Sequence, residues 1–210
     1  MIKAALFDLD GVIFDTEPQY TVFWGSVFRS YYPEQPGLEH AIKGQTLTQI
    51  YDRFFAGPLA DERPAITQRL NEYERQMTFP YVAGFREFIA SLRERGVQTA
   101  VVTSSNNEKM ARVYEQHPDF TSLFDAILTS EDFQRSKPAP DCYLEAMARF
   151  GTTPRESVVF EDSINGLRSG RDSGALVVAL ATSHSIDTLR PLSDYQIPDF
   201  SGFNLGQLDA

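Results

Sequence analysis

Five short apolar runs rich in β-branched residues recur along this 210-residue chain, and each is separated from the next by enough residues for a helix. They occupy residues 2–7, 97–102, 126–128, 158–160 and 176–180. This spacing is typical of a parallel sheet with helices on both faces. Apolar residues at helical spacing predict amphipathic helices between Gly84 and Gly96 and over Pro140–Phe150. The sequence therefore predicts an α/β fold, a Rossmann-like parallel sheet flanked by helices.

The gap between the first and second apolar runs is far longer than a single crossover helix needs. Within it, apolar residues at helical spacing are interrupted by prolines, which indicates three or four short helices. We expect a small α-helical cap domain over residues 16–81, inserted into a catalytic α/β core of residues 1–15 and 82–210. The aromatic residues Tyr20, Phe23 and Trp24 are expected to pack inside this cap.

Composition restricts the partners of this chain. The net charge is −10, with 29 acidic against 19 basic residues, which argues against nucleic acids and anionic membrane surfaces as partners. No signal-peptide pattern follows Met1, and no apolar run approaches the roughly 20 residues of a membrane span. Cys142 is the only cysteine, so no intrachain disulfide can form. We expect a soluble, cytoplasmic, monomeric protein.

The first apolar run ends in two carboxylates one residue apart, Asp8 and Asp10, followed by Gly11. Alternation along an extended chain sends both side chains to the same side, about 6–7 Å apart. Their repulsion is relieved by a bridging divalent cation or by a proton on one of them. Gly11 permits a tight departure from the strand. This ending predicts a functional site at the edge of the sheet.

Polar segments also follow later runs, where ligands bind in open parallel sheets. They are Thr103-Ser104-Ser105-Asn106, Ser136-Lys137-Pro138 and Glu161-Asp162-Ser163. Taken singly, Lys137 is typical of a solvated turn, and residues 103–105 are typical of a helix cap. Together with Asp8 and Asp10, these segments supply four carboxylates, a hydroxyl cluster and a lysine. That set fits phosphoryl transfer to an aspartate, with Mg²⁺ as the metal that carboxylate oxygens select.

The order of these segments closely resembles the four motifs of the haloacid dehalogenase superfamily, in its phosphatase and β-phosphoglucomutase-like branch, over nearly the whole chain. The resemblance implies that Asp8 is the nucleophile that becomes an aspartyl-phosphate and that Asp10 is the general acid and base. It implies phosphate binding by Thr103, the Ser104 amide and Lys137. It also implies a magnesium site formed by Asp8, Asp162 and the Asp10 carbonyl, with Glu161 helping to hold it.

The same resemblance places substrate selection in the cap loop Lys43-Gly44-Gln45-Thr46, and we add Asn107 as a candidate substrate contact. Sugar-phosphate mutases of this kind carry a histidine and an arginine where this chain has Tyr20 and Leu47. Leucine cannot replace a bidentate phosphate ligand, so we expect a phosphatase acting on a small phosphorylated metabolite, a sugar or polyol phosphate. A mutase is the main alternative. A non-catalytic binding protein, a dehalogenase and a phosphonatase using Lys43 have less support.

Overall fold

The computed structural model of the protein describes residues 1–208, so residues 209 and 210 of the expected core range lie outside it. The described residues form two compact units. The main unit comprises Met1–Asp15 and the chain from Phe79 onward, and the inserted unit comprises Thr16–Thr78. The roles of catalytic core and cap for these units stay predictions. Within residues 1–208, no helix has the length and apolar character that crossing a bilayer requires.

The main unit contains a six-stranded sheet in which every neighbouring pair is parallel, which confirms the predicted fold class. Its strand order is β3-β2-β1-β4-β5-β6. The strands are β1 (Ala4–Phe7), β2 (Gln98–Val102), β3 (Ala126–Leu128), β4 (Ser157–Glu161), β5 (Leu176–Leu180) and β6 (Tyr195–Ile197). The chain adds β2 and β3 on one side of β1 and then crosses to β4 on the other. The carboxyl ends of β1 and β4 therefore flank the switch point at which such sheets bind ligands.

The inserted unit is helical. It contains α1 (Glu17–Tyr31), α2 (Leu38–Ala41), α3 (Leu47–Phe54), a 3₁₀ turn (Gly57–Glu62) and α4 (Arg63–Glu74). Its own core includes Phe23, Trp24 and Phe28, which confirms that the first two pack inside this unit. Residues 16–78 thus contain four α-helices, in agreement with the three or four predicted, although α1 reaches 15 residues because its prolines lie at the first turn and beyond the end, where they do not interrupt a helix.

Among the described residues, the main unit also contains five α-helices: α5 (Phe85–Glu94), α6 (Asn107–Gln116), α7 (Asp141–Phe150), α8 (Ile164–Asp172) and α9 (Ile186–Leu189). The helices predicted after Gly84 and Pro140 are thereby confirmed as α5 and α7. Alternation along β1 gives the sheet two apolar faces. Phe7 packs with residues of α5, and Leu6 packs with residues of α7. Both faces of β1 are buried, which fixes the position of the carboxylates that follow it.

Two polar caps orient the helices that begin next to the sheet edge. Ser163 caps α8, because its hydroxyl accepts a hydrogen bond from the Gly166 amide at 3.0 Å. The expected cap of α6 by residues 103–105 was wrong. Asn106 stands directly before the helix and accepts from the Lys109 amide at 2.9 Å, whereas Thr103 accepts from the Ser105 amide within the loop at 3.0 Å.

Candidate active site

Lys137 connects Asp8, which directly follows β1, with Glu161, the last residue of β4. Its ammonium lies 2.5 Å from Asp8 Oδ1 and 2.6 Å from Glu161 Oε1, and it donates to the Val102 carbonyl at 2.9 Å. The side chain is only 6% exposed. The alternative of a solvated turn lysine was therefore wrong. Three separate stretches of sequence meet at this one cation.

Burial and the charge of the partner have opposite effects on the pKa values of Asp8 and Lys137. Burial, with smaller contributions from Glu161 and Asp10, raises the pKa of Asp8 to about 7 despite the opposing effect of Lys137. For Lys137, burial alone would lower the pKa, but the Asp8 and Glu161 carboxylates outweigh it and hold the pKa above its usual value. The lysine therefore stays charged, while the ionised form of Asp8 needs additional positive charge nearby.

Three carboxylates could hold a metal ion. Asp8, Glu161 and Asp162 each present an oxygen, and these oxygens lie within 4.8 Å of one another. Gly11 makes room for this cluster, because a Cβ at its position would lie 2.1 Å from Asp162 Oδ2. The backbone angle φ of Gly11 is +73°, a value that residues other than glycine rarely adopt. Hard oxygen ligands of this kind fit Mg²⁺.

Glu161, the last residue of β4, is fully buried and tightly held. The hydroxyl of Tyr143 on α7 donates to Oε1 at 2.8 Å, and the amide of Asp162 donates to Oε2 at 3.1 Å. Gly166 on α8 lies against the same carboxylate, and a Cβ there would come within 1.9 Å of it. The Tyr143 ring also faces Lys137, whose Nζ lies 5.0 Å from the ring centroid. Glu161 thus fixes the lysine relative to the strand ends.

Asp10 meets the segment that follows β2. Its Oδ2 accepts from Lys109 Nζ at 2.6 Å and from Ser105 Oγ at 3.3 Å. Thr103 is buried at the start of this segment, and Ser104 is exposed beside it. The structure therefore brings the predicted phosphate-binding loop next to the predicted acid, although the roles of these residues stay predictions.

The remaining candidate of the main unit, Asn107, faces a neighbouring loop. Its backbone amide donates to Glu131 Oε1 at 3.3 Å, and its side-chain Oδ1 accepts from the Thr129 hydroxyl at 3.3 Å. Both of these partners lie just after β3. These bonds hold Asn107 to the loop after β3, and its substrate role stays a prediction.

The four candidates of the inserted unit form one loop between α2 and α3. The ammonium of Lys43 lies 3.9 Å from a Glu17 carboxylate oxygen, and Gly44 has a φ of +70°. Gln45 donates to the last carbonyl of α2 at 2.9 Å. Thr46 is the N-cap of α3 and takes part in a capping box. Local hydrogen bonds fix the shape of this loop, whose part in substrate binding stays a prediction.

Sequence reasoning missed three residues that contact the site: Lys109, Tyr143 and Ser183. The Ser183 hydroxyl donates to Asp162 Oδ2 from the loop that follows β5. The rule that polar residues gather past strand ends would have found Ser183. Lys109 could have been noticed because it lies in the first turn of a helix, where the helix dipole disfavours a cation. The apolar periodicity of α7 concealed the hydroxyl of Tyr143.

The sequence and the fold of this chain both resemble those of known proteins. A family profile described as haloacid dehalogenase-like hydrolase matches residues 5–180. The chain belongs to the haloacid dehalogenase-like hydrolase family. The matched range contains every candidate residue named above from Asp8 to Asp162. The residues of the carboxylate and lysine cluster thus lie within the part of the chain that matches the family.

Individual relatives agree with this membership. A probable pseudouridine-5'-phosphatase of Drosophila melanogaster is 29% identical over 95% of this chain and 94% of its own length. Hexitol phosphatase B of Escherichia coli is 29% identical over 79% of this chain and 78% of its own. A haloacid dehalogenase-family hydrolase of Entamoeba histolytica shares the fold, with a TM-score of 0.83 at 20% identity over 99% of this chain and 97% of that one.

Proposed function

We propose that this protein is a Mg²⁺-dependent phosphatase that hydrolyses a small sugar or polyol phosphate through an aspartyl-phosphate on Asp8. One observation carries the proposal. A buried lysine contacts both the carboxylate that ends β1 and the one that ends β4, and a third carboxylate lies beside them. This arrangement suits a nucleophile that must accept an approaching phosphate dianion. The phosphatase relatives support the choice of reaction.

The charges of the site support the metal. The four carboxylates of Asp8, Asp10, Glu161 and Asp162 are accompanied by two ammonium groups. With Asp10 holding the proton that it transfers, three carboxylates remain against two ammonium groups, and the phosphate dianion adds further negative charge that Mg²⁺ would offset. We assign its binding to Asp8, Asp162 and the Asp10 carbonyl, with Glu161 supporting the site. When bound, Mg²⁺ supplies positive charge that favours ionised Asp8 and offsets the charge of the phosphate.

In the first half of the reaction, a carboxylate oxygen of Asp8 attacks phosphorus. The bond from phosphorus to the substrate alcohol breaks, and the alcohol oxygen takes a proton from Asp10. Lys137 offsets the charge of the phosphoryl oxygens, and Thr103 and the Ser104 amide donate to them. In the second half, Asp10 takes a proton from water as the water attacks phosphorus. The bond to Asp8 breaks, which releases phosphate and regenerates the carboxylate.

Two residues of the inserted unit favour a phosphatase over a mutase. The hydroxyl of Tyr20 is engaged with Glu74 at 2.9 Å, and Leu47 packs against the apolar core of its unit. Neither offers the cationic phosphate ligand that a mutase needs to hold a second phosphate group. We propose that the loop of residues 43–46 selects the substrate. The choice between phosphatase and mutase is tested by supplying glucose 1-phosphate isomers with Mg²⁺ and a bisphosphate primer. Isomerisation with little phosphate release would reject the phosphatase.

The direct test measures phosphate release from a panel of sugar and polyol phosphates. It is run with Mg²⁺, with a chelator, and with the Asp8→Asn variant. We expect activity only in the native protein with Mg²⁺, with at least about a thousand-fold loss in Asp8→Asn because the covalent step is removed. Asp119→Asn is the matched control, since it changes an exposed aspartate that pairs with Arg86. Activity that survives Asp8→Asn would reject the proposal.

A further inference from the structure

A second buried lysine pairs with the second aspartate of the site. The side chain of Lys109 is 8% exposed, and its ammonium lies 2.6 Å from Asp10 Oδ2. Ser105 donates to the same oxygen at 3.3 Å. The two aspartates that follow β1 therefore each have a lysine partner, Lys137 for Asp8 and Lys109 for Asp10. The motif residues that carry the family resemblance include Lys137 but not Lys109.

The position of Lys109 is unfavourable for a lysine on general grounds. It is the third residue of α6, where the partial positive charge of the helix N-terminus disfavours a cation. Burial of an ammonium group is costly unless it is paired and hydrogen-bonded. The Asn106 cap ties the Lys109 amide and thus fixes where the side chain begins. The ion pair with Asp10 compensates for both costs, so this lysine is matched to that carboxylate.

We propose that Lys109 is a positioning residue for Asp10. It holds Oδ2 against α6, in concert with Ser105, so the proton is carried on Oδ1 and the carboxyl group keeps the orientation from which it transfers that proton to the leaving oxygen. This inference rests on the proposed function, in which Asp10 is the general acid. A positioned general acid contributes about 10²- to 10⁴-fold to such a step. Loss of its orientation is therefore expected to remove a large part of that factor.

The test compares two leaving groups. A p-nitrophenolate ion departs without a proton, whereas the alkoxide of a polyol phosphate needs one. The parameter kcat/KM reports the steps through formation of the aspartyl-phosphate, so it isolates this proton transfer from the later attack of water. In Lys109→Met, we expect kcat/KM to fall at least about ten-fold more for sorbitol 6-phosphate than for p-nitrophenyl phosphate. Lys109→Arg keeps the cation and is expected to show a smaller difference between the two esters.

A double-mutant cycle with phenyl phosphate tests whether Lys109 acts through Asp10. If it does, adding Lys109→Met to Asp10→Asn changes kcat/KM by less than about two-fold, because the group being positioned is already disabled. Lys3→Met is the control, since Lys3 is exposed and pairs with Glu156. Equal losses for both esters in Lys109→Met, or full multiplication of the two effects in the cycle, would overturn the inference.

Failure of the proposed function has a different signature. If the native protein releases no phosphate with Mg²⁺, or if Asp8→Asn remains active, the reaction itself is wrong and the role of Lys109 falls with it. If the native protein is active and Asp8→Asn is not, the ester comparison decides on Lys109 alone. Should Lys109→Met fail to fold, Lys109→Gln, which also removes the ammonium group, provides the same comparison, and equal losses for both esters in that variant reject the inference.

Discussion

Replacement of Lys137 by methionine removes a cation that contacts both Asp8 and Glu161, while keeping a long apolar side chain. The lysine is 6% exposed, Glu161 is fully buried, and the two N–O distances are 2.5 and 2.6 Å. Breaking a buried pair by removing one partner costs about 3–5 kcal/mol, because the remaining charge is left uncompensated. For a chain of this length, each kcal/mol lowers Tm by roughly 2–4 °C, so we expect a fall of about 6–20 °C in a chelator.

Mg²⁺ is expected to offset part of the stability that Lys137→Met loses. Without Lys137, the remaining carboxylates carry more excess negative charge, so saturating Mg²⁺ should stabilise Lys137→Met by more than it stabilises the native protein. Activity should nevertheless be lost, because methionine cannot offset the charge of the phosphoryl oxygens. The variant thus separates metal binding from phosphate binding.

The assay follows unfolding in urea, with chelator and with Mg²⁺. Trp24, the single tryptophan, lies in the inserted unit, so its fluorescence does not report on the sheet. Hydrogen exchange of peptides from β1 and β4 follows the main unit directly. Lys3→Met, which disrupts only an exposed pair, is the control. A Lys137→Met variant within about 1 kcal/mol of the native protein, or one that gains no more from Mg²⁺, would refute the reasoning.

Three further outcomes are expected. Gly166→Ala should lower stability by about 1–3 kcal/mol and reduce kcat, because its Cβ would overlap the Glu161 carboxylate, and an unchanged urea midpoint would contradict this. Ser183→Ala should weaken Mg²⁺ binding about 10- to 100-fold by calorimetry, since the hydroxyl orients Asp162, and an unchanged Kd would contradict this. In a chelator, the raised pKa of Asp8 contributes stability that is fully present below pH 4 and lost as pH rises through about 7, so the native urea midpoint should decline relative to that of Asp8→Asn between pH 4 and 7. Parallel curves would contradict it.

The sheet and the meeting of the motifs were predictable because both depend on strong, repeated signals. Buried parallel strands are near-continuous apolar runs, and all their carboxyl ends lie at one edge of the sheet. The polar residues after β1 and β4, with Lys137 after β3, therefore had to converge if the fold was right. The contact between Lys137 and Asp8 follows from that logic.

Other features depend on information that periodicity does not carry. Strand β6 is three residues long, half-buried and centred on the polar Gln196, so its pairing with β5 gives no alternation pattern to read. Lys109 lies within a helix, and its direction toward Asp10 depends on the rotation that the Asn106 cap imposes on α6. The hydroxyl of Tyr143 is similarly part of a residue whose ring already explains its burial.

The most direct test of the account is to trap the covalent intermediate. The protein is mixed with Mg²⁺ and ³²P-labelled p-nitrophenyl phosphate, quenched in acid during turnover, and digested for peptide mapping, with a parallel sample reduced by borohydride. The account predicts a hydroxylamine-sensitive label on the peptide that contains Asp8, and conversion of that residue to homoserine on reduction. A label on any other residue, or rapid turnover with no label on Asp8, would contradict it.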